Sequence, residues 1–160
     1  MTDHLVIRPA QPGEAGLVLG FVRALADYER QTHELVADEA AIDAALFCPA
    51  PRVFCEIAEW DGMPAGFALW FYTFSTFRGR HGLYLEDLFV HPEQRGHGIG
   101  KALLAHLARR CVAEGLGRFE WSVLDWNAPS IAFYEGQGAQ RVDGWLRCRV
   151  EGEALGRLAG

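Results

Sequence analysis

The amino-acid sequence predicts a mixed α/β fold, with a mostly antiparallel central sheet of six to seven strands and about four flanking helices. Three observations favour this fold class. Two runs rich in β-formers flank Asp61-Gly62, a dipeptide typical of hairpin turns. Leu17, Phe21, Leu25 and Tyr28 recur at helical spacing after the first strand-like run. A glycine-rich stretch then joins an apolar run to another helical pattern, as at many ligand sites of α/β sheets.

The first half of the chain alternates between strand-like and helical patterns. "HLVIRPA" opens with a strand, and the periodic segment at 11–30 follows as a helix. A second short helix is expected over "ADEAAIDAALF" at 37–47, capped by Asp38 or a neighbour and ending before Pro49. The two runs around Asp61-Gly62 and a third, "HGLYLEDLFV", then form an antiparallel meander.

The second half begins with the glycine stretch. Ile99, Leu103, Leu107 and Cys111 mark a helical face that ends at Gly115 or Gly117. "RFEWSVLDW" is expected as a strand, and "NAPSIAFYEGQG" as a short helix capped by Asn127. Residues 139–155 are expected to complete the sheet, which gives the order β-α-α-β-β-β-α-β-α-β-(β).

Length and composition limit the classes of function. The 160 residues predict one domain, spanning 1–160, and the net charge of −6 argues against a nucleic-acid partner. No run is apolar and long enough to cross a membrane, and the N-terminal residues lack a secretory pattern, so a cytoplasmic location is expected. The four cysteines show no CxxC spacing and the six histidines no paired spacing. We therefore expect reduced, mostly buried thiols and no metal.

The stretch "HPEQRGHGIGK" at 91–101 predicts an anion site. Glycines permit positive φ angles and close backbone approach, so successive N–H groups converge on a ligand at a helix N-terminus. Phosphate is the usual ligand of such a site, and Arg95 and Lys101 add positive charge.

Two common nucleotide motifs do not fit this stretch. A dinucleotide-binding G-x-G-x-x-G that starts at Gly96 and Gly98 requires glycine where the chain has Lys101. A Walker A loop that ends in Gly100-Lys101 requires glycine at 95 and a hydroxyl residue at 102, where the chain has Arg95 and Ala102.

The pattern that fits is R-x-x-G-x-G, formed by Arg95, Gly98 and Gly100. Together with "WNAPSIAFYEGQGA" at 126–139, it resembles the acetyl-CoA-binding motifs of the GNAT superfamily of N-acetyltransferases. "YLEDLFV", "RGHGIGKALL" and "LADYER" resemble the spermidine/spermine N-acetyltransferase family. "STFRGR", "VLDWN" and "GEALGRLAG" resemble its thialysine-acetylating branch. The resemblance runs from "VIRPA" to the C-terminus and implies a GNAT-type sheet.

The resemblance also implies where acetyl-CoA binds. The pyrophosphate would lie on the loop made of Arg95, Gly96, His97, Gly98, Ile99, Gly100 and Lys101. Backbone groups of Leu88, Phe89 and Val90 would pair with pantetheine and polarise the thioester carbonyl. Asn127 and Ser130 would hold the pantetheine end, with helix capping alone as the alternative explanation for both.

Catalytic and substrate residues follow from the same resemblance. It assigns Glu86 to general-base work through a water, and Tyr134 to protonation of the leaving thiolate. Asp87 would point to the opposite face of a regular strand from Glu86, unless a local bulge brings the two together. Tyr28, Glu29, Glu86 and Asp87 would bind the amine, and Phe77 stands where relatives often carry Trp.

The implied reaction is direct transfer of acetyl from acetyl-CoA to a primary amine in a ternary complex. A small diamine is the expected substrate, either a polyamine or a lysine analogue such as thialysine. Relatives are dimers with the C-terminal strand near the interface, so the resemblance implies a homodimer. Two alternatives remain open: a protein or peptide N-acetyltransferase, and a non-catalytic acyl-CoA-binding regulator.

Overall fold

The computed structural model describes residues 4–160 in two compact units, which divide after Leu124. The first unit holds the sheet and three α-helices. In chain order its elements are β1 (Leu5–Pro9), α1 (Ala15–Tyr28), α2 (Glu39–Leu46), β2 (Phe54–Trp60), β3 (Met63–Ser75), β4 (Arg80–Val90), α3 (Ile99–Glu114) and β5 (Phe119–Trp121). The strands lie in the order β1-β2-β3-β4-β5, antiparallel except for the parallel pair β4 and β5. The mixed, mostly antiparallel sheet is confirmed.

Local sequence signals account for several boundaries. Asp61 and Gly62 both have positive φ, 51° and 78°, as the tight turn between β2 and β3 requires. The Asp38 carboxylate accepts a hydrogen bond from Ala41 N at 2.9 Å and caps α2. Gly115 in the left-handed region ends α3.

One face of the sheet is covered by α1 and α2. Val18, Phe21 and Leu25 of α1 pack against β2, β3 and Phe89 of β4. The Phe21 and Phe67 rings stack with centroids 5.2 Å apart. Fully burying a side chain of this size contributes about 1.5–3 kcal/mol, so this layer fixes α1 relative to β4. As a result, the C-terminal end of α1 is held in a fixed position on the sheet.

The opposite face is covered by α3. Its apolar side is buried and lies against β1 to β4. Because side chains alternate along a strand, Ala68 and Trp70 of β3 point to this side while Phe67 and Leu69 point to α1. The sheet therefore separates two layers of helix, with the glycine stretch leading into α3.

The second unit, Asp125–Gly160, contains α4 (Ala128–Gly136) and α5 (Gly152–Ala159). The strand expected within 139–155 does not form. An alternating sequence shows only that a strand is compatible, whereas a ladder also requires a neighbouring edge. Residues 139–150 make no ladder, and the Trp145 side chain is 82% exposed.

The element count of the prediction is therefore wrong. Among residues 4–160 the sheet has five strands, not six to seven, and there are five α-helices where about four were expected. The strand expected over "RFEWSVLDW" is regular only at Phe119–Trp121.

Two of the four thiols, Cys55 and Cys111, are buried, and the other two are exposed. No helix within the described 4–160 range has both the length and the apolar character needed to cross a bilayer.

Candidate active site

A β-bulge in β4 positions two carboxylates. Leu85 lies opposite Trp70 and Asp87 lies opposite Leu69, so Glu86 has no residue opposite it on β3. Such an extra residue bends the strand and turns the local side chains. The bulge that would let Glu86 and Asp87 act together is thus present, with Glu86 exposed and Asp87 partly buried.

Glu29, which follows the last residue of α1, completes an acidic cluster with Glu86 and Asp87. Burial, and then the negative charges of Glu86 and Glu29, raise the pKa of Asp87 from 3.8 to about 7. Burial and the charge of Glu86 likewise raise the pKa of Glu29. Like charges that raise one another's pKa form a site that favours a cation.

The edge of β4 beside this cluster is open to a ligand. β5 accompanies β4 only along Leu83–Leu85, whereas β3 pairs with β4 on its other side as far as Val90. Within residues 4–124, the β4 edge across Leu88, Phe89 and Val90 therefore has no strand partner. Such an edge presents N–H and C=O groups to an extended molecule, as the expected pantetheine contact requires.

The glycine loop has the backbone conformation that its sequence predicts. Gly96 and Gly98 have φ angles of 83° and 77°, and Gly98 is the N-cap of α3. No side chain caps this helix end, so its N–H groups remain available to an anion. Gly100 lies in the first turn of the helix, and the Lys101 side chain is exposed. The loop thus combines a helix N-terminus with a cation, as a phosphate site requires.

Arg95 links this loop to β4 and α1. Its Nε donates to Val90 O at 3.0 Å, and its guanidinium lies 5.1 Å from the centroid of the Tyr28 ring. The same guanidinium lies 5.4 Å from the centroid of the Phe89 ring. The structure therefore brings Tyr28 and Arg95, predicted for different ligands, into contact.

His97 has a side-chain contact that the sequence did not reveal. Its ring lies 4.6 Å from the Trp60 ring, and its Nδ1 lies 3.1 Å from Gln94 O. Trp60 is the last residue of β2, so the contact joins the glycine loop to the β2–β3 hairpin. A tryptophan next to a hairpin signal is equally compatible with core packing, which is why no sequence signal identified it.

Replacing Gly98 with Ala should weaken acetyl-CoA binding. A residue with a Cβ in the left-handed region costs roughly 1–2 kcal/mol, and relief of this strain would turn the loop N–H groups away from the ligand. We expect the KM for acetyl-CoA to rise about tenfold, the equivalent of roughly 1.4 kcal/mol. Gly79, with φ of 60° in the β3–β4 turn, provides the control. Gly79→Ala should lower Tm similarly and leave this KM unchanged; an equal rise in both variants would contradict the assignment.

The remaining predicted residues belong to the second unit. The Asn127 side chain is buried and accepts a hydrogen bond from Ser130 N at 3.3 Å, which caps α4 as expected. Tyr134 lies on the same helix, and its ring centroid is 5.4 Å from that of Phe133. Capping thus accounts for one role of Asn127, while the ligand roles of Asn127, Ser130 and Tyr134 stay predictions.

Comparison with known proteins identifies the family. The sequence matches the acetyltransferase (GNAT) family over residues 20–139, well over half of the chain. This chain belongs to the GNAT family. It is 35% identical to the thialysine N-epsilon-acetyltransferase of Bos taurus, over 98% of each chain. It is 31% identical to an L-ornithine N5-acetyltransferase of Arabidopsis thaliana, over 93% of this chain and 85% of that one. Like these relatives, the GNAT protein described here is an N-acetyltransferase, and acetyl-CoA is its acetyl donor.

Solved structures agree with this GNAT assignment. An integron cassette protein from V. cholerae superposes with a TM-score of 0.80 at 26% identity, over 98% of both chains. An aminoglycoside acetyltransferase from a soil metagenome superposes with a TM-score of 0.77 at 13% identity, over 94% of this chain and 99% of that one, and shows the fold alone. Across 4–160 of the GNAT chain, no cluster of His, Cys, Asp and Glu has the geometry to hold a metal ion.

Proposed function

We propose that this N-acetyltransferase transfers acetyl from acetyl-CoA to a primary amine of a small diamine, by direct attack in a ternary complex. The preferred substrate is a polyamine or a lysine analogue such as thialysine. The observation that carries this proposal is the acidic cluster of Glu29, Glu86 and Asp87 beside the open edge of β4. The cluster attracts an ammonium group, and the edge suits an extended thioester.

The acidic cluster meets two needs of the amine. An alkylamine has a pKa of about 10.4 and reaches the enzyme as an ammonium ion, which opposite charges hold. It must then lose a proton before its nitrogen can attack. Glu86, exposed at the bulge, accepts that proton through a water, while Asp87 and Glu29 retain the charge that orients the substrate.

The donor half of the site lies along β4 and the glycine loop. Backbone groups of Leu88, Phe89 and Val90 bind pantetheine, and an N–H of this stretch polarises the thioester carbonyl. The N–H groups of Gly96–Gly100 and the start of α3 bind the pyrophosphate, with Arg95, His97, Ile99 and Lys101 as the rest of the loop. The left-handed glycines of the loop support this placement of the pyrophosphate.

Tyr134 assists departure of the thiolate. A phenol O–H donates to the sulfur as the C–S bond breaks, and acid assistance is typically worth roughly 10²–10⁴-fold. Because a thiol has a pKa of about 8.5, its thiolate is already a good leaving group, and the effect of the phenol should lie at the lower end of that range.

Tyr134→Phe should therefore lower kcat about 10²-fold while the Kd for CoA stays the same. Stopped-flow or steady-state thiol release measures the first quantity, and calorimetry measures the second. Phe133→Leu on the same helix is the control for packing, and it should leave kcat within a few-fold. Undiminished turnover in Tyr134→Phe would remove the general-acid role.

The relatives favour an amino acid with a side-chain amine. Two of them are named for thialysine and for L-ornithine, and a further relative, 28% identical over 96% of this chain, is named spermidine/spermine N(1)-acetyltransferase-like protein 1. Thialysine and ornithine both carry a terminal amine on an amino-acid backbone. We therefore place them ahead of the polyamines.

The test is steady-state release of CoA from acetyl-CoA across an amine panel. The panel comprises thialysine, L-ornithine, L-lysine, putrescine, spermidine, spermine and a lysine-bearing peptide, with butylamine as the monoamine control. One small diamine should dominate kcat/KM, with butylamine far below it. A dominant peptide substrate would instead identify a peptide acetyltransferase. No CoA release with any amine, together with tight CoA binding, would identify a non-catalytic regulator.

Location and assembly complete the proposal. We propose a cytoplasmic enzyme, since all four cysteines are free thiols and acetyl-CoA is its donor. We also propose one domain, because the family match crosses the boundary at Leu124. A homodimer follows from the resemblance to dimeric relatives. Light scattering at micromolar concentration tests that assembly.

A further inference from the structure

Arg95 lies between the two halves of the proposed site. It directly precedes the left-handed glycines of the loop, and its Nε donates to Val90 O at 3.0 Å, so the side chain turns back toward β4. The guanidinium lies 5.1 Å from the ring centroid of Tyr28 and 5.4 Å from that of Phe89, both within cation–π range. One side chain thus contacts the last residue of α1 and the strand proposed to bind pantetheine.

The part of α1 that Arg95 contacts lies beyond the core. Packing against the sheet fixes α1 as far as Leu25, the last of its buried residues. Tyr28 follows almost one turn later and is 36% exposed. Glu29, the next residue, supplies a carboxylate of the acidic cluster. The position of this carboxylate therefore depends on a helical turn that core packing does not cover.

The positive charge of Arg95 does not neutralise the acidic cluster. Burial and the charge of Glu86 raise the pKa of Glu29, and burial, Glu86 and Glu29 raise the pKa of Asp87 to about 7. A guanidinium that offset these carboxylates would lower both pKa values. Arg95 therefore bears on the amine site through its contact with Tyr28 rather than through its charge.

The loop that carries Arg95 gains contacts when a phosphate binds. Residues 95–98 are exposed, and no side chain caps the N-terminus of α3. A pyrophosphate on the N–H groups of this loop adds hydrogen bonds that hold its backbone. A ligand shifts a conformational equilibrium by its differential affinity for the two states, and these bonds form only with the ordered loop.

We propose that Arg95 is a positioning residue that couples acetyl-CoA binding to amine binding, an inference that rests on the proposed function. The bound pyrophosphate holds the loop and with it Arg95. Arg95 holds Tyr28 and the last turn of α1, which places Glu29 beside Glu86 and Asp87. Because such coupling is reciprocal, acetyl-CoA raises the affinity for the amine by the same factor as the amine raises the affinity for acetyl-CoA.

The first measurement uses CoA without any amine. The amides of Glu29, Arg30 and Gln31 donate to carbonyls at the end of α1, so hydrogen exchange in the peptide 25–31 reports opening of this turn. Saturating CoA should slow this exchange roughly threefold in the wild type, as expected for an exposed cation–π contact. Arg95→Met should show no slowing, because Met has neither the charge nor the Nε–H group.

The second measurement is the KM for the preferred amine at saturating acetyl-CoA. Arg95→Met should raise this KM about fivefold, with a smaller change in kcat. Lys101→Met removes an exposed cation from the same loop and is the matched control. It should raise the KM for acetyl-CoA and leave the KM for the amine unchanged. Arg109→Gln, on the exposed side of α3, should change neither KM.

Tyr28 variants test the other side of the contact. Tyr28→Leu removes the ring and should abolish the slowing of exchange by CoA, although the glycine loop is intact. Tyr28→Phe retains a ring face and should keep the slowing. In the Tyr28→Leu background, Arg95→Met should raise the KM for the amine no further, because two partners of one contact are not additive.

Three results would overturn the proposal. They are unchanged exchange of 25–31 on addition of CoA to the wild type, equal slowing in the wild type and Arg95→Met, and a rise in the KM for acetyl-CoA alone in Arg95→Met. Tyr28→Leu provides the same comparison if Arg95→Met does not fold. An active amine panel without these effects would remove only this inference. A panel without activity would remove the proposed function, and the exchange measurement would still test the contact.

Discussion

Replacing Glu86 with Gln is expected to lower kcat by roughly 10²–10⁴-fold at neutral pH, the usual contribution of a positioned general base. Gln keeps the size of the side chain but cannot accept the proton that the ammonium must lose. Because Glu86 is exposed and has no residue opposite it on β3, the change disturbs no core packing. Steady-state thiol release with saturating amine measures the loss.

The pH profile distinguishes a lost base from a misplaced substrate. In Glu86→Gln, kcat should continue to rise toward the pKa of the free amine, about 10.4, because solvent must remove the proton. The wild type should level off at lower pH. Glu120→Gln on β5 is the matched control and should behave as the wild type. A profile of Glu86→Gln that is parallel to the wild type would assign the base to another group.

Replacing Asp87 with Asn is expected to lower kcat/KM for the amine by roughly 10²-fold, since a partly buried charge that faces an ammonium is lost. The wild-type kcat/KM should rise with pH through about 7, as the Asp87 carboxyl ionises in the free enzyme. That inflection should be absent in Asp87→Asn. In kcat the inflection should lie at lower pH, because a bound ammonium favours the carboxylate.

The same pKa has a consequence for stability. Asp87 has a pKa of about 7 in the folded protein, against 3.8 for an unperturbed carboxyl. Between these values the folded state binds more protons, so the free energy of unfolding falls as pH rises from about 4 to about 7. Asp87→Asn removes this loss and should raise Tm more at pH 8 than at pH 5.

Asp27→Asn, on the exposed side of α1, is the control. It should keep the inflection of kcat/KM near pH 7 and should not raise Tm more at pH 8 than at pH 5. An inflection near 7 that persists in Asp87→Asn would mean that another group sets it. If Asp87→Asn had a lower Tm than the wild type at pH 8, the contacts of the Asp87 carboxylate would stabilise the fold by more than its buried charge destabilises it.

Local sequence signals predicted the parts of the fold that short-range chemistry determines. The Asp61-Gly62 turn, the Asp38 and Asn127 caps and the left-handed glycines before α3 each depend on a few neighbouring residues. The carboxylates Glu29, Glu86 and Asp87 were proposed from short motifs, and their electrostatic interaction is seen in the structure. These features need no knowledge of distant packing.

Features that depend on distant pairing were harder to predict. The strand expected near the C-terminus requires an edge to pair with, and alternation along 139–155 cannot report one. The bulge at Glu86 depends on the register of β3, so the sequence left two arrangements open. The burial of Glu56, which is 2% exposed, could not be predicted, because a single acidic residue within a strand usually faces solvent.

The bulge in β4 also bears on what a deletion of Glu86 would do to the fold. Leu85 and Asp87 already occupy successive places opposite Trp70 and Leu69, so a strand without Glu86 would alternate without interruption. Loss of a single codon would therefore leave every other β4 side chain on its present face. A protein with that deletion would retain the sheet and the glycine loop, which are the parts proposed to bind acetyl-CoA. The carboxylate that we propose as the general base is thus the one extra residue of β4 in its pairing with β3.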